Sequence, residues 1–303
     1  MSKQTYTYKV ANGCEIRADV YGARQGVRRP AIVWIHGGAL ILGAREDICP
    51  WQRELYLDAG YVVVAIDYRL APETPLAAIV EDLQDAWRWV HRAGPEQMAI
   101  DRERIAVVGH SAGGYLALMS GYCLDPRPRA LVSFYGYGDI GGAWYTQPDP
   151  YYCRLPSVSR EEAYAAVGKG IISQSADHAR GAHFYIYCRQ HGLWPQKVSG
   201  IDPDREPAAL DRFCPVRHVD AAYPPTLLLH GVDDTDVPCE QSILMAQALA
   251  QAGVSHELLT LPGAGHAFDL SDRGLQDPTT AQCFERVRSF LEQHLGAGGM
   301  RSA

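Results

Sequence analysis

Two rhythms of apolar and polar positions alternate along the chain. Residues 5–10 and 14–21 switch between apolar and polar at every second position on either side of Asn12-Gly13, which predicts two half-buried antiparallel strands joined by a tight turn. Residues 30–35 and 61–66 are instead short, largely apolar runs, as expected of strands buried on both faces, and residues 104–108, 130–135, 226–229 and 256–261 read as further strands. Helical spacing fills the gaps between them. Residues 51–59 form one such stretch. Pro75 opens a second, in which Ile79, Leu83, Ala86, Trp87 and Val90 share a face, and Gly94 is expected to end it. Small and apolar residues 115–119 follow the 104–108 run, residues 241–252 precede Gly253, and residues 279–295 make a last helix. Strands alternating with helices in this way predict an α/β fold: a mostly parallel central sheet of about eight strands, flanked by helices, with an antiparallel start. In such sheets ligands bind beyond the carboxyl ends of the strands.

One stretch breaks the alternation. Roughly 90 residues separate Gly136 from Thr226, where a connection needs only a few. Within them Ser159 and Glu162 have the spacing of a capping box, and residues 176–189 are expected to form a second helix despite Gly181. Trp144, Tyr145, Tyr151, Tyr152, Tyr164, Phe184, Tyr185, Tyr187 and Trp194 also fall here. The organisation expected is a body of residues 1–138 and 223–303 carrying an inserted, mainly helical cap, residues 139–222, over the site. Some of these aromatics would line an apolar pocket, and most would form the cap's own small core. The tail from Gly296 is expected to be disordered.

Composition narrows the partners. Of 303 residues 47% are hydrophobic and 21% charged, with a net charge of −7 and no basic stripe, which argues against nucleic acid or an anionic membrane as ligand. Residues 1–10 are polar, without the apolar core of a signal peptide, and no apolar run approaches a membrane span, so a cytoplasmic enzyme is expected. Eight cysteines without a C-x-x-C spacing read as free thiols. Cys188, His191 and His183 lack the second tight ligand pair that a zinc site needs, and no metal or cofactor is expected. A homodimer remains open.

Candidate chemistry gathers at the predicted strand ends. Gly109-His110-Ser111-Ala112-Gly113-Gly114 follows a strand and opens a helix, the context of a nucleophile elbow. A serine hydroxyl is a weak nucleophile, so a base must take its proton and a third group must orient that base. His266 alone among eleven histidines follows Ser111 late in the chain, on a glycine-rich loop after the last strand. Asp233, Asp234 and Asp236, after the preceding strand, are candidates for the third group. Attack on a carbonyl puts negative charge on oxygen, and backbone N–H groups of Gly37, Gly38 and Ala112 would form the oxyanion hole. His36 is expected to brace that loop through its ring nitrogens.

The motifs His36-Gly37-Gly38, Asp67-Tyr68-Arg69-Leu70-Ala71-Pro72-Glu73, Gly109 to Gly114, His230-Gly231-x-x-Asp234-x-x-Val237-Pro238 and Gly265-His266-x-Phe268 resemble, in this order, those of the α/β-hydrolase carboxylesterases. The closer resemblance is to the hormone-sensitive-lipase and feruloyl-esterase-like groups. It implies an α/β-hydrolase fold and a serine hydrolase with Ser111, Asp234 and His266 as triad. Ala39 stands where the lipase-type loop carries a third glycine, and His110 where that group commonly has aspartate; both departures lean towards the feruloyl-esterase-like branch, which includes formamidase-like enzymes. Asp67, Arg69 and Glu73 are expected to form a buried polar network behind the oxyanion loop, with His36 and His110 as further supporting residues. Asp236, at the start of a helix opened by Pro238, is expected to cap it. The expected activity is hydrolysis of a small-molecule carboxylic ester through an acyl-serine, with acyl chains from acetate to about hexanoate preferred. Amide or formamide hydrolysis by the same triad, and a non-catalytic binding protein on the same fold, are the alternatives.

Overall fold

The computed structural model describes residues 3–24, 26–270 and 273–296. Asn12 and Gly13 take φ of 50° and 80°, the left-handed pair that matches strand twist, so β1 (Lys3–Ala11) folds back antiparallel on β2 (Cys14–Tyr21). Then come β3 (Arg29–Ile35), β4 (Val62–Ile66), β5 (Ile100–His110), β6 (Ala130–Phe134), β7 (Thr226–Gly231) and β8 (His256–Leu261). Together they make one eight-stranded sheet, ordered β1-β2-β4-β3-β5-β6-β7-β8. β2 meets β4 antiparallel, and every pairing from β4 to β8 is parallel, which is the expected mostly parallel sheet with its antiparallel start.

Helices cover both faces. They are α1 (Pro50–Asp58), α2 (Leu76–Gln97), α3 (Ala112–Cys123), α4 (Ala143–Thr146), α5 (Arg160–Ala165), α6 (Ile186–His191), α7 (Trp194–Ser199), α8 (Glu240–Gln251) and α9 (Pro278–Leu295). Because successive strand residues point to opposite faces, each parallel strand feeds two cores. Val33 and Ile35 pack with Leu83 and Val90 of α2, Leu116 of α3 and Leu249 of α8. Ile32 and Trp34 pack with Tyr56 of α1 and Phe284, Val287 and Phe290 of α9.

Two helix limits differ from expectation. α2 does not stop at Gly94 but continues through Pro95 to Gln97. Gly94 serves packing: a Cβ there would come within 3.2 Å of Ile100, and the Met98 N–H closes the helix on the Gly94 carbonyl at 3.0 Å. Pro95 deprives the last turn of one donor. The helix expected over residues 176–189 begins only after Asp177, whose carboxylate accepts the Ala179 N–H at 2.9 Å, and its first part, Arg180–Tyr185, is π-helical before it continues into α6.

Residues 139–222 carry α4 to α7. At α5 the capping box forms in full: the Glu162 N–H donates to Ser159 Oγ at 3.2 Å and the Ser159 N–H to the Glu162 carboxylate at 2.8 Å. Most of the aromatics here do not make a separate core. Trp144 stacks on Tyr145 at 3.8 Å and Tyr145 on Trp194 at 4.1 Å, with the edge of this stack against Tyr137, and the buried members join the same core as α2, α3 and α8. Among the described residues no helix is long and apolar enough to cross a membrane. The segment after Gly296, expected to be disordered, lies outside the described residues.

Candidate active site

β5 delivers Ser111 at its carboxyl end, and the chain turns there at φ 54° and ψ −118°, a conformation that costs a non-glycine residue about 1–3 kcal/mol. The turn closes because the residues two positions away on either side, Gly109 and Gly113, have no side chains. A Cβ on Gly109 would lie 2.0 Å from the Gly113 carbonyl oxygen, and one on Gly113 would lie 2.1 Å from that of Ile35. Ser111 is held from both sides: its N–H donates to the Phe134 carbonyl, and its own carbonyl accepts the Tyr115 N–H, each at 2.9 Å.

His266, on the loop after β8, brings Nε2 to 3.1 Å from Ser111 Oγ. Its Nδ1 lies 2.7 Å from Asp234 Oδ2, on the loop after β7. A proton on Nδ1, donated to the carboxylate, leaves the Nε2 lone pair facing the serine hydroxyl. Burial works against the imidazolium, but the Asp234 hydrogen bond and the charges of Asp236, Asp234 and Asp269 outweigh it, so the His266 pKa is raised above 6.5. The Asp234 side chain is fully buried. Burial alone would raise its pKa, yet the bonds from His230, His266 and the Val237 N–H hold it well below the usual carboxylate range.

Asp234 also does what was expected of Asp236. Its Oδ1 accepts the N–H of Asp236 at 2.8 Å and of Val237 at 2.9 Å, ahead of α8. His230 stands behind it, with Nε2 3.3 Å from Asp234 Oδ2 and 2.9 Å from the Val237 carbonyl, which places the proton on that nitrogen. Asp236 turns the other way. Its Oδ1 accepts from Tyr152 Oη at 2.7 Å, Tyr185 Oη at 2.5 Å and Arg189 Nη1 at 3.0 Å, while Oδ2 faces His266 Nε2 at 3.5 Å. The expected capping role is corrected: the side chain lines the cleft. Asp233 is exposed on the same loop.

Gly37 and Gly38 run beside the elbow. The Cβ position of Gly37 is 3.4 Å from that of Ser111, and Gly38, at φ 97°, would drive a Cβ to 2.1 Å from the Leu42 carbonyl oxygen. Ala39 takes φ 54° where a glycine would be at ease, and its carbonyl accepts the Trp194 indole N–H at 3.0 Å, so the 139–222 segment pins this loop. Among the described residues no acceptor meets the backbone N–H of Gly37, Gly38 or Ala112.

The supporting residues are placed unevenly. His36 is fully buried and stacks on Tyr68 at 4.2 Å; one ring nitrogen, Nδ1, meets the Gly37 carbonyl at 2.8 Å, and Nε2 has no partner among the described residues, so the brace uses one nitrogen rather than both. Burial lowers its pKa to about 4, which keeps the ring neutral. His110 lines the cleft, with Nε2 3.0 Å from buried Asp269, whose other oxygen accepts from Tyr135 Oη at 2.6 Å. Tyr135 in turn packs on His266, its ring centroid at 4.6 Å. Asp67, Arg69 and Glu73 form no common network. Asp67 pairs with Arg45 at 2.6 Å, Arg69 with Asp82 at 2.7 Å and Glu73 with Arg180 at 2.7 Å, because each points to a different neighbouring element. Asp269 and the Arg189 cluster were missed from sequence; Asp269 lies three residues beyond His266, and that spacing was the available signal.

The cleft over Ser111 measures about 410 Å³ and is bounded by Gly37, Leu42, Gln52, Tyr185, Asp236 and Leu270, among others. Of the ten aromatics in residues 139–222, Tyr185 alone lines it. Among the described residues no group of three or more histidine, cysteine or acidic side chains could hold a metal ion.

A family model described as alpha/beta hydrolase fold matches residues 32–270. Non-reducing polyketide synthase ausA of Aspergillus calidoustus is 28% identical over 96% of this chain, which spans only 14% of that protein's length. Among solved structures, an alpha/beta hydrolase superfamily protein from Enterococcus faecalis aligns at a TM-score of 0.73, with 23% identity over 96% of this chain and 99% of that one. Esterase 2 of Thermogutta terrifontis aligns at 0.70, with 24% identity over 98% and 97% of the two chains.

Proposed function

The chain belongs to the alpha/beta hydrolase fold family, and from that premise we propose that it is a serine hydrolase cleaving short to medium carboxylic esters through an acyl-serine intermediate. One observation carries the reading: the unbroken line from Asp234 through His266 to a strained Ser111, at 2.7 and 3.1 Å. In the first half-reaction Ser111 Oγ attacks the ester carbonyl while His266 Nε2 takes its proton. The oxyanion meets the N–H groups of Gly37, Gly38 and Ala112. The carbon–oxygen bond to the alcohol then breaks, and the Nε2 proton goes to the departing oxygen. Water repeats the attack on the acyl-serine with His266 again as base, releasing the acid and free Ser111.

Residues 139–222 act here as a cap, with Tyr185 and the pinned loop at Ala39 closing the cleft. A cleft of about 410 Å³ suits acyl groups from acetate to hexanoate. Covalent labelling by a fluorophosphonate probe, lost in Ser111→Ala, together with turnover of p-nitrophenyl butyrate, tests the reading. Absence of labelling in folded protein overturns it. Faster turnover of N-formylkynurenine than of any ester in a panel would move the substrate to formamides. The likeness to polyketide synthases favours a second substrate class for the same triad, a polyketide acyl chain held as ester or thioester, which acyl N-acetylcysteamine thioesters would probe.

A further inference from the structure

Asp236 is not needed for the proton relay, yet its carboxylate lines the cleft and faces His266 Nε2, the nitrogen that moves the proton. Its two oxygens are used very differently. Oδ1 is saturated by two phenols and a guanidinium. Among the described residues Oδ2 meets only His266 Nε2, at 3.5 Å, too long for a hydrogen bond of normal strength. That oxygen therefore presents an under-used acceptor to the cleft, on the side of His266 from which the proton goes to the leaving alcohol.

The carboxylate is also fixed in place. Arg189, with a side chain 1% exposed, bonds both Asp236 and Asp149 and lies over the rings of Tyr145 and Tyr152 at 4.9 and 4.7 Å. Two carboxylates share this one guanidinium, which leaves the cluster net negative, and Arg189 is too deeply buried to reach a substrate. Among the described residues no lysine or arginine lines the cleft, and Asp47 is the other carboxylate in its wall.

We propose that Asp236 sets the alcohol specificity of the site: it selects esters whose alcohol bears a hydrogen-bond donor, hydroxyl or ammonium, near the ester oxygen, and rejects alcohols bearing a carboxylate. The inference rests on the esterase reading above. A donor on the alcohol satisfies Oδ2, whereas a second carboxylate within about 5 Å meets uncompensated repulsion in a partly desolvated cleft.

The test compares butyrate esters of four alcohols: 2-(dimethylamino)ethanol, ethylene glycol, 3-methylbutanol and glycolic acid. Wild-type kcat/KM should favour the first two over the glycolate ester by about tenfold or more, and Asp236→Asn should reduce that ratio several-fold. Comparing the ratio between enzymes removes the intrinsic reactivity of each ester. Collapse of the ammonium preference alone assigns the selection to charge, and collapse of both assigns it to the acceptor. A ratio that is the same within about twofold in both enzymes overturns the proposal. So does a wild-type enzyme that takes the glycolate ester as readily as the ammonium ester, a result that stands even if the variant fails to fold. Turnover of the 3-methylbutyl ester and fluorophosphonate labelling of the wild type report separately on the esterase reading.

Discussion

The two walls of the cleft are held by different kinds of force. On the sheet side, Ser111, Gly37 and His266 sit where backbone geometry puts them: at strand ends, on turns that a single Cβ would break. On the other side, the side chains of Tyr185 and Asp236 are held by other side chains, chiefly one buried guanidinium that pairs two carboxylates. The backbone of the sheet wall is thus a product of chain direction and sterics. The opposite wall depends on electrostatics at low local dielectric, where a missing partner is costly. On the proposed function, chemistry is built on the first and selectivity on the second.

The largest effect should come from the sheet wall. Ser111→Ala should lower kcat on p-nitrophenyl butyrate by about ten thousandfold to a millionfold with an unchanged melting temperature or a raised one, since it removes a reacting atom and no packing. Asp234→Asn should cost about ten thousandfold in kcat by leaving His266 in the wrong tautomer, whereas Asp233→Asn, on the exposed side of the same loop, should be nearly silent. The converse holds on the opposite wall. Arg189→Met strands Asp149 and Asp236 without their cation, and should destabilise the fold by about 3–5 kcal/mol in urea titration while leaving fluorophosphonate labelling of the folded fraction intact. If Arg189→Met instead abolished labelling without loss of stability, the division between the walls would be wrong. The smallest effect is one of pH. His266 must be neutral to act as base and its pKa is raised, so kcat/KM should fall about tenfold per unit as pH drops below a midpoint that lies above 6.5. A midpoint below 6 would mean that burial prevails over the surrounding carboxylates.

The same division explains what could be read from the sequence. Strands buried on both faces, glycine-bounded turns and the order of Ser111, Asp234 and His266 leave local signatures, because each is a matter of spacing along the chain. The body and the geometry around Ser111 were therefore legible. Side chains that meet only in space leave none. Asp236, Arg189, Asp149 and Tyr152 come from four separate positions over residues 149–236, and nothing periodic links them, so Asp236 read as a helix cap. Asp67, Arg69 and Glu73 erred in the opposite direction. They are neighbours in sequence, and the irregular, turning chain there sends each to a different partner. Gly94 read as a stop because its local propensity is unfavourable, and tertiary packing on Ile100 overrode it.

The hydrogen bond from Trp194 to the Ala39 carbonyl bears on how such a protein can be re-engineered. Residues 139–222 look exchangeable, a cassette whose replacement would retune substrate choice. Yet their aromatic stack completes the core above α2, α3 and α8, and the indole fixes a loop that holds a non-glycine residue in a left-handed conformation. A foreign segment would have to supply an equivalent donor at that carbonyl as well as a new pocket wall. Point changes around Asp236 and Tyr185 are the more modular route, since they alter the wall and leave the tether in place.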